Sequence, residues 1–179
     1  MQVKPTLFPE VLLITPKVFT DNRGFFYESF YQSRYLEMGI AKNFVQDNLS
    51  RSHKNVVRGM HYQIGKPQAK LVSVIYGEIY DVVVDIRPHS KTFGRWTAHV
   101  LNDTNHHQLY IPEGFAHGFC VLSEFADFMY KCTEYYYPEG DRGIRWDDPE
   151  IGIEWPIDKS DAILSEKDLG HPFLKDALK

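Results

Sequence analysis

The residues that could do chemistry in this chain stand in three short segments. Arg58 and His61 flank Gly59, which permits a close turn that would let both side chains face one cavity. Lys70 opens an apolar run, and we expect His117 in a glycine-rich turn. Arginine and lysine stabilise phosphate oxygens or a developing oxyanion, and a neutral imidazole accepts a proton. The set therefore predicts proton abstraction beside a carbonyl group, which produces an enolate.

Each of these side chains also has a structural interpretation. His61 and His117 could be buried, hydrogen-bonded imidazoles, and Lys70 could be a surface lysine at the end of a strand. The combination favours a site, because an inward-facing ammonium at the start of the apolar run 71–75 needs a chemical reason.

An inversion of configuration also needs a proton donor on the opposite face of the substrate. Tyr130 is the candidate, because a phenol with a pKa of about 10 stays protonated at neutral pH. Its alternative is a core aromatic, since the chain has 11 tyrosines. Asp168 could orient His61 by accepting its second ring proton. Its alternative is a capping or solvated carboxylate, because Ser165 and Asp168 have the spacing of a capping box.

A metal site is the main chemical alternative. Catalytic zinc and iron sites commonly use three protein ligands, either histidines alone or two histidines with a carboxylate. His61 and His117 supply two ligands, Gln63 is a poor third, and Lys70 would place a positive charge where the cation should lie. We therefore expect neither a metal nor another cofactor.

Composition limits the class of protein and its partners. With 179 residues, 43% of them hydrophobic, the chain suffices for one full core, and we predict a single domain over residues 1–179. A net charge of −4 argues against a nucleic-acid surface. The two cysteines are too few for a disulfide scaffold. No leader sequence and no apolar run near the roughly 18 residues of a membrane span are evident, so we expect a reduced, cytoplasmic protein without a membrane partner.

Strand signals dominate the chain. Runs of β-branched and aromatic residues predict strands over 71–76, 79–86, 96–101, 108–111, 119–122 and 125–137, with turns at 76–78 and 102–105. Helix is predicted only over 31–38 and 160–169, and an irregular tail from Pro138 onwards. Many short strands separated by turns predict an all-β sandwich or barrel.

The chemical residues also resemble a cupin metal site whose metal has been replaced. Cupin barrels carry a His-x-His pair, a downstream Glu and Gly, and a Pro-x-Gly-x-x-His motif, which together supply His, His, Glu and His ligands. The corresponding residues here are His61, Gln63, Lys70 and His117, and six residues separate Lys70 from Gly77, as in the cupin motif. The gap between Gln63 and Lys70 is longer than in that motif.

Nearly the whole chain, in order, resembles the dTDP-4-dehydrorhamnose 3,5-epimerases. The resemblance is carried by residues 19–28 (FTDNRGFFYE), 44–50 (FVQDNLS), 57–63 (VRGMHYQ), 111–119 (IPEGFAHGF), 130–131 (YK), 143–149 (GIRWDDP) and 164–168 (LSEKD). It implies a metal-independent, all-β cupin-type barrel (a double-stranded β-helix or jelly roll) with a few short helices, usually a homodimer. Such a protein acts on a nucleoside-diphosphate 4-keto-6-deoxy sugar in dTDP-L-rhamnose biosynthesis, which supplies polymers such as lipopolysaccharide.

The resemblance also implies a role for each matching residue. His61 would remove the protons at sugar carbons 3 and 5, with Asp168 as its partner. Tyr130 would return a proton from the other face, and Lys70 would face the ketone oxygen. Contacts with the substrate are implied for Arg23, Glu28, Gln46, Asn48, Arg58, His117, Tyr136, Asp141 and Lys167. Tyr136 matches an aromatic residue that stacks on the thymine ring, and part of the N-terminal set would reach the neighbouring subunit's site.

One departure from the family pattern leaves the substrate preference open. The family often has Pro-Glu-x-Glu after the position of Tyr136, whereas this chain has Asp141 as the last residue of that motif, one methylene shorter. We expect conversion of dTDP-4-dehydro-6-deoxy-D-glucose to dTDP-4-dehydro-L-rhamnose. The alternatives are an epimerase of one carbon or of another nucleotide sugar, a metal-dependent cupin oxygenase, and a noncatalytic sugar-nucleotide-binding barrel.

Overall fold

The computed structural model describes residues 1–40 and 43–178, and most of its regular structure is β-strand. The strands are β1 (Gln2–Pro5), β2 (Leu12–Thr15), β3 (Phe19–Asp21), β4 (Gly24–Phe26), β5 (Gln46–His53), β6 (Val57–Gln63), β7 (Lys70–Tyr76), β8 (Glu78–Asp85), β9 (Trp96–Asn102), β10 (Gln108–Ile111), β11 (Phe115–Val121), β12 (Phe125–Cys132) and β13 (Asp141–Gly143). The helices are α1 (Gln32–Glu37), α2 (Glu166–Leu169) and α3 (Leu174–Ala177), and short 3₁₀ turns lie at Pro138–Gly140 and Lys159–Asp161.

The strands form two main antiparallel sheets. One has the order β1-β2-β10-β7-β12-β5, the other has the order β13-β6-β11-β8-β9, and β3 and β4 pair as a separate hairpin. Buried side chains from both main sheets form one apolar cluster, which includes Val72 and Phe128 of the first sheet and Val83 and Phe119 of the second. The two sheets therefore pack face to face around a shared core.

The all-β prediction is confirmed, but several strand boundaries were wrong. The strand predicted over 119–122 begins at Phe115 and is buried throughout, so His117 lies in a strand and not in a turn. The strand predicted over 125–137 ends at Cys132. Strand β5 was missed because it is rich in polar residues. These residues are tolerated in the strand because every second side chain is exposed to solvent.

A close approach between two glycines brings His61 and His117 side by side. Gly59 has a φ of +112°, and a Cβ there would lie 2.6 Å from the Cα of Gly118. Strands β6 and β11 can approach at this point only because neither residue has a side chain. His61 and His117 are paired directly across the same two strands.

The C-terminal segment packs on the five-stranded sheet and completes the site. Its backbone is tied to the start of β6 by the hydrogen bond from the Val57 amide to the Ile163 carbonyl, at 2.9 Å. Helix α2 falls within the helix predicted over 160–169, and the segment is more regular than predicted because it also contains β13 and α3. This docking places α2 beside His61.

Three other predictions concern the cysteines, a membrane span and the number of domains. Cys120 and Cys132 are both buried and free, as expected. Within residues 1–40 and 43–178, no helix has the length and apolar character to span a membrane. The assignment of residues 1–179 to one domain stays a prediction.

Candidate active site

A histidine–aspartate pair joins strand β6 to helix α2. The Nε2 atom of His61 lies 2.6 Å from Oδ1 of Asp168, a distance typical of a strong hydrogen bond. Asp168 is almost completely buried, whereas the His61 ring is about one-third exposed. Because Nε2 donates to the carboxylate, the proton-accepting nitrogen of a neutral His61 is Nδ1.

The Asp168 carboxylate is kept ionised inside the protein. Burial alone would raise its pKa, but the hydrogen bond and the charge of His61 outweigh burial and hold the pKa below its usual range. The backbone amide of Asp168 donates to the Ser165 hydroxyl at 3.1 Å, which caps α2. The capping spacing therefore engages the Asp168 amide and leaves its carboxylate for His61.

The opposite wall of the site comes from the other sheet. Lys70 begins β7, Tyr130 lies on β12, and the Lys70 Nζ is 6.0 Å from the centre of the Tyr130 ring. With His61 they line one cavity of about 320 Å³. Since His61 belongs to the five-stranded sheet and the other two residues to the six-stranded sheet, the cavity lies between the sheets.

Burial disfavours the charged forms of both residues on this wall. It lowers the pKa of Lys70, although the charges of Asp81 and Asp141 act in the opposite direction. Burial raises the pKa of Tyr130, so the phenol is protonated at neutral pH. The wall therefore combines a lysine that gives up its proton more readily than usual with a firmly protonated phenol.

His117 lies behind the cavity and is paired with a buried carboxylate. Its Nε2 atom is 2.9 Å from Oδ2 of Asp81, and both side chains are almost fully enclosed. Burial lowers the pKa of His117 despite the Asp81 charge, with Lys70 and His61 acting in the same direction as burial. A neutral His117 can donate one hydrogen bond to Asp81 and accept another on its second nitrogen.

Polar and aromatic side chains form the mouth of the cavity. The Tyr136 hydroxyl donates to Oδ2 of Asp141 at 2.9 Å, and Lys167 forms an ion pair with the same oxygen. The Tyr136 backbone amide donates to the Gln46 side chain at 2.9 Å, which in turn donates to Asn48 at 2.9 Å. Tyr136 is about half-exposed, so the face of its ring is available to a planar partner.

Most residues singled out from the sequence meet at this cavity. Those that line it are Gln46, Asn48, His61, Gln63, Lys70, Tyr130, Tyr136, Asp141 and Lys167, while Asp168 and His117 support it from behind. Arg58 is exposed and donates to the Ser52 hydroxyl at 3.0 Å. The prediction that Arg58 and His61 face the same cavity was therefore wrong, because Arg58 does not line the cavity wall. Its charge is close enough to oppose the rise in the pKa of Tyr130.

Two of the residues expected to contact the substrate lie outside this cavity. Arg23 stands on the exposed β3–β4 hairpin and pairs with Asp21 at 2.6 Å. Glu28 follows that hairpin and forms an ion pair with Arg34 of α1. Neither lines the cavity around His61 within its own subunit.

Several residues of the site were not predicted from the sequence. Tyr62, Gln68 and Cys132 line the cavity, and the His171 ring packs against the His61 ring in a T-shaped arrangement, with 5.6 Å between the ring centres. Cys132 could have been predicted from its position, because residues two apart in a strand share a face and Tyr130 was already a candidate. His171 follows Asp168 by three positions, the spacing of neighbours on a helix.

The described residues contain one cluster that could bind a metal ion. It consists of His61, Asp168 and His171, whose ligand atoms all lie within 4.8 Å of one another. Two ligands of one zinc ion, each about 2.0–2.2 Å from it, lie roughly 3 Å or more apart. His61 and Asp168 are closer than that, at 2.6 Å, so an ion would have to separate the pair.

Comparisons with known proteins show related proteins over nearly the whole chain. The family model described as dTDP-4-dehydrorhamnose 3,5-epimerase matches residues 5–176. A dTDP-4-dehydrorhamnose 3,5-epimerase from Salmonella typhimurium is 52% identical over 180 residues, which cover 99% of this chain and 98% of the relative.

Solved structures share both the fold and much of the sequence. A dTDP-6-deoxy-D-glucose-3,5-epimerase from Legionella pneumophila, in complex with dTDP-4-keto-L-rhamnose, has a TM-score of 0.95 and 50% identity and covers 98% of this chain and 93% of its own. A 3'-monoepimerase from Streptomyces bikiniensis, in complex with dTDP-quinovose, has a TM-score of 0.88 and 31% identity, with 97% and 88% coverage. The predicted cupin-type fold is confirmed by this likeness.

Replacing Lys70 by methionine should stabilise the protein at pH 7 by about 0.5–2 kcal/mol, because a partly buried, poorly solvated ammonium is removed. Folding lowers the pKa of Lys70 below 10.5. Between the folded and unfolded pKa values the unfolded chain binds more protons, so the wild type gains stability relative to the variant as the pH rises through that interval.

Denaturant titrations at pH 7 and at increasing alkaline pH measure this difference in the free energy of unfolding. The control is Lys175→Met, which removes an exposed lysine and should change the stability little at either pH. An advantage of Lys70→Met that stayed constant or grew with pH would contradict the assignment of a burial cost to Lys70.

Proposed function

Because the chain belongs to the dTDP-4-dehydrorhamnose 3,5-epimerase family, we propose that it converts dTDP-4-dehydro-6-deoxy-D-glucose to dTDP-4-dehydro-L-rhamnose. The observation that carries the proposal is the His61–Asp168 pair facing Lys70 and Tyr130 across one cavity. This arrangement supplies a base, a cationic group for an enolate and a proton donor on the opposite wall. It supports an isomerase in which the protein's own side chains move the protons.

In the proposed reaction, His61 breaks the C–H bond next to the ketone. The proton goes to Nδ1, and the bond's electron pair forms a C=C bond while the ketone oxygen becomes an enolate oxygen. Asp168 stabilises the resulting imidazolium through its hydrogen bond to Nε2. The same steps act at carbon 5 and at carbon 3, because both are adjacent to the ketone at carbon 4.

Lys70 is proposed to stabilise the enolate oxygen. General acid–base catalysis contributes about 10² to 10⁴ in rate, so the electrostatic contribution has to be large as well. The lowered pKa of Lys70 makes its ammonium a stronger hydrogen-bond donor to an oxygen that gains negative charge. The cost of burying this cation is thereby recovered when the enolate forms.

Tyr130 is proposed to protonate the enolate carbon from the other face. It lies on the sheet opposite His61, and burial keeps its hydroxyl protonated. After transfer, the tyrosinate takes a proton from solvent and His61 releases one, so each inversion neither gains nor loses a proton. This geometry on two walls supports inversion over exchange with retention.

The mouth of the cavity is proposed to bind the nucleotide. Tyr136 is placed to stack on the thymine, and Lys167 carries a positive charge for the diphosphate. Gln46, Asn48 and Arg58 offer further polar groups on the same side of the structure. Asp141 already accepts hydrogen bonds from Tyr136 and Lys167, so its proposed role includes holding both in place.

A homodimer is proposed because the N-terminal hairpin has no place in its own subunit's site. Phe25 and Phe26 of this hairpin are more than half-exposed, which is costly for aromatic residues. Arg23 and Glu28, both matched to substrate contacts, lie on or next to the hairpin and outside the cavity of the same subunit. We place the enzyme in the cytoplasm, consistent with its two free buried thiols.

Incubation of the 4-keto sugar nucleotide with the protein in heavy water tests the proposed reaction. We expect deuterium at carbons 3 and 5 by NMR, and a loss of about 10² to 10⁴ in exchange rate in His61→Ala. The exposed residue His89 provides the control variant His89→Ala, which should exchange normally. Activity should survive treatment with a chelator.

The outcomes of this experiment separate the alternatives. Label at one carbon alone would identify a single-carbon epimerase. No label at either carbon would refute the epimerase proposal and leave a binding barrel. Turnover that required stoichiometric iron or zinc would favour the metal-dependent oxygenase, and native exchange in His61→Ala would refute the assigned base.

Tyr130→Phe should separate proton removal from inversion. We expect the rate of product formation to fall by about 10² or more, because the donor on the opposite face is lost. Exchange of substrate protons with solvent should continue through His61 and leave the original configuration. NMR measures both rates in one sample, with Tyr135→Phe as an exposed tyrosine control. Inversion at the native rate would refute the role of Tyr130.

Mixing two impaired variants tests whether the hairpin contributes to the neighbouring subunit's site. Arg23→Ala should weaken substrate binding, and His61→Ala should lack the base. A mixed dimer then has one complete site, which combines His61 of one subunit with Arg23 of the other. After subunit exchange we expect about a quarter of the wild-type activity, because half of the dimers are mixed and each has one intact site. Activity no higher than that of the separate variants would contradict the proposed exchange.

A further inference from the structure

A second histidine lies against the His61–Asp168 pair. The Nε2 atom of His171 is 3.5 Å from Oδ1 of Asp168, the same oxygen that accepts from His61. The His171 ring meets the His61 ring edge to face, with an angle of 81° between the ring planes. His171 is therefore in contact with both members of the pair, although it does not line the substrate cavity.

The backbone makes specific room for this histidine. Gly143 is paired with His61 across β13 and β6, and a Cβ at Gly143 would lie 2.2 Å from Nε2 of His171. Any side chain at this position would force the imidazole away from the pair. On the other side, the carbonyl of Pro172 accepts a hydrogen bond from the Arg145 amide at 2.9 Å, which fixes the chain next to His171.

The Nε2 atom of His171 has no hydrogen-bond partner among the described residues, although it is buried. An unsatisfied buried N–H is costly, at about 1–3 kcal/mol. Asp168 Oδ1 lies 3.5 Å away, slightly longer than a hydrogen bond. Hydrogen bonds in catalytic sites are often long without substrate and shorten when it binds.

Resting on the proposed function, we infer that His171 is a positioning residue that donates its Nε2–H to Asp168 and holds the carboxylate in line with His61. The ring of His171, in T-shaped contact with His61, also limits rotation of the His61 imidazole. Its effect on the substrate is indirect, because it acts through Asp168 and His61.

The charges around the His61–Asp168 pair determine in which direction His171 shifts the protonation of His61. Asp168, Asp141 and Lys167 face His171, and burial lowers the pKa of His171 so that it is neutral at pH 7. Lys70 and His117 approach His61 from the other side. A neutral N–H directed at Asp168 offsets part of the carboxylate charge that would otherwise favour the imidazolium form of His61. Removing this donor should therefore make His61 easier to protonate.

The test compares His171→Phe, which keeps a ring and removes the donor, with His171→Gln, whose amide can place an N–H near the position of Nε2. His89→Phe, at an exposed position, is the control. For His171→Phe we expect kcat to fall on the order of tenfold, because the base is less well oriented. The acid limb of the kcat/KM profile should move to higher pH by about half a unit. The affinity for dTDP should stay within about twofold, and His171→Gln should recover most of the rate.

A second variant displaces His171 without changing it. Gly143→Ala places a methyl group 2.2 Å from the present position of Nε2, which displaces the ring, and should reproduce the shift of the acid limb. The pH profile and NMR titration of His61 in all variants distinguish positioning from a purely structural role. An unchanged acid limb in His171→Phe, or a loss of activity explained by weaker dTDP binding, would overturn the inference.

The titration midpoint of His61 can be measured by NMR without turnover. If the protein did not exchange the substrate's protons, the proposed function would fail while the coupling of His171 to His61 could still be observed. If exchange were normal and the midpoint were the same in His171→Phe and the wild type, the inference about His171 alone would fail.

Discussion

The hydrogen bond between His61 and Asp168 connects parts of the chain that are 107 residues apart in sequence. It exists only because the C-terminal segment docks on the five-stranded sheet through contacts such as the one between Val57 and Ile163. The buried Asp168 in turn depends on His61, because an ionised carboxylate without a partner would be costly to bury. The His61–Asp168 hydrogen bond therefore both holds the C-terminal segment in place and supports His61 as the proposed base.

The comparison with a cupin metal site explains why the cavity contains a lysine. In the cupin pattern a cation draws histidine and carboxylate ligands together, whereas here His61 pairs with Asp168 and His117 pairs with Asp81. Each histidine thus has a carboxylate partner of its own. The positive charge of Lys70 then stands in the cavity, where an oxyanion can approach it.

The sequence was informative where the local pattern and the final environment agree. β-Branched runs located β7, β8 and β10 closely, since these strands are largely buried. Strands β5 and β6 were missed as strands, because their polar residues serve the site and the surface. Most of the cavity residues were identified through the family motifs. The separation of Arg58 from His61 and the contact of His171 with Asp168 depend on strand register and tail docking, which no local pattern specifies.

The interior of the site also balances its charges, and this balance limits which substitutions it tolerates. Burial of Lys70 favours the neutral amine, but the Asp81 charge favours the ammonium. Asp81 is itself buried, and one of its oxygens is bonded to His117 while the other has no partner among the described residues. Removing Asp81 would therefore favour the neutral form of Lys70 and, at the same time, leave His117 without its carboxylate partner. Such coupling means that these residues act as a unit, and the effects of changing them singly should not add.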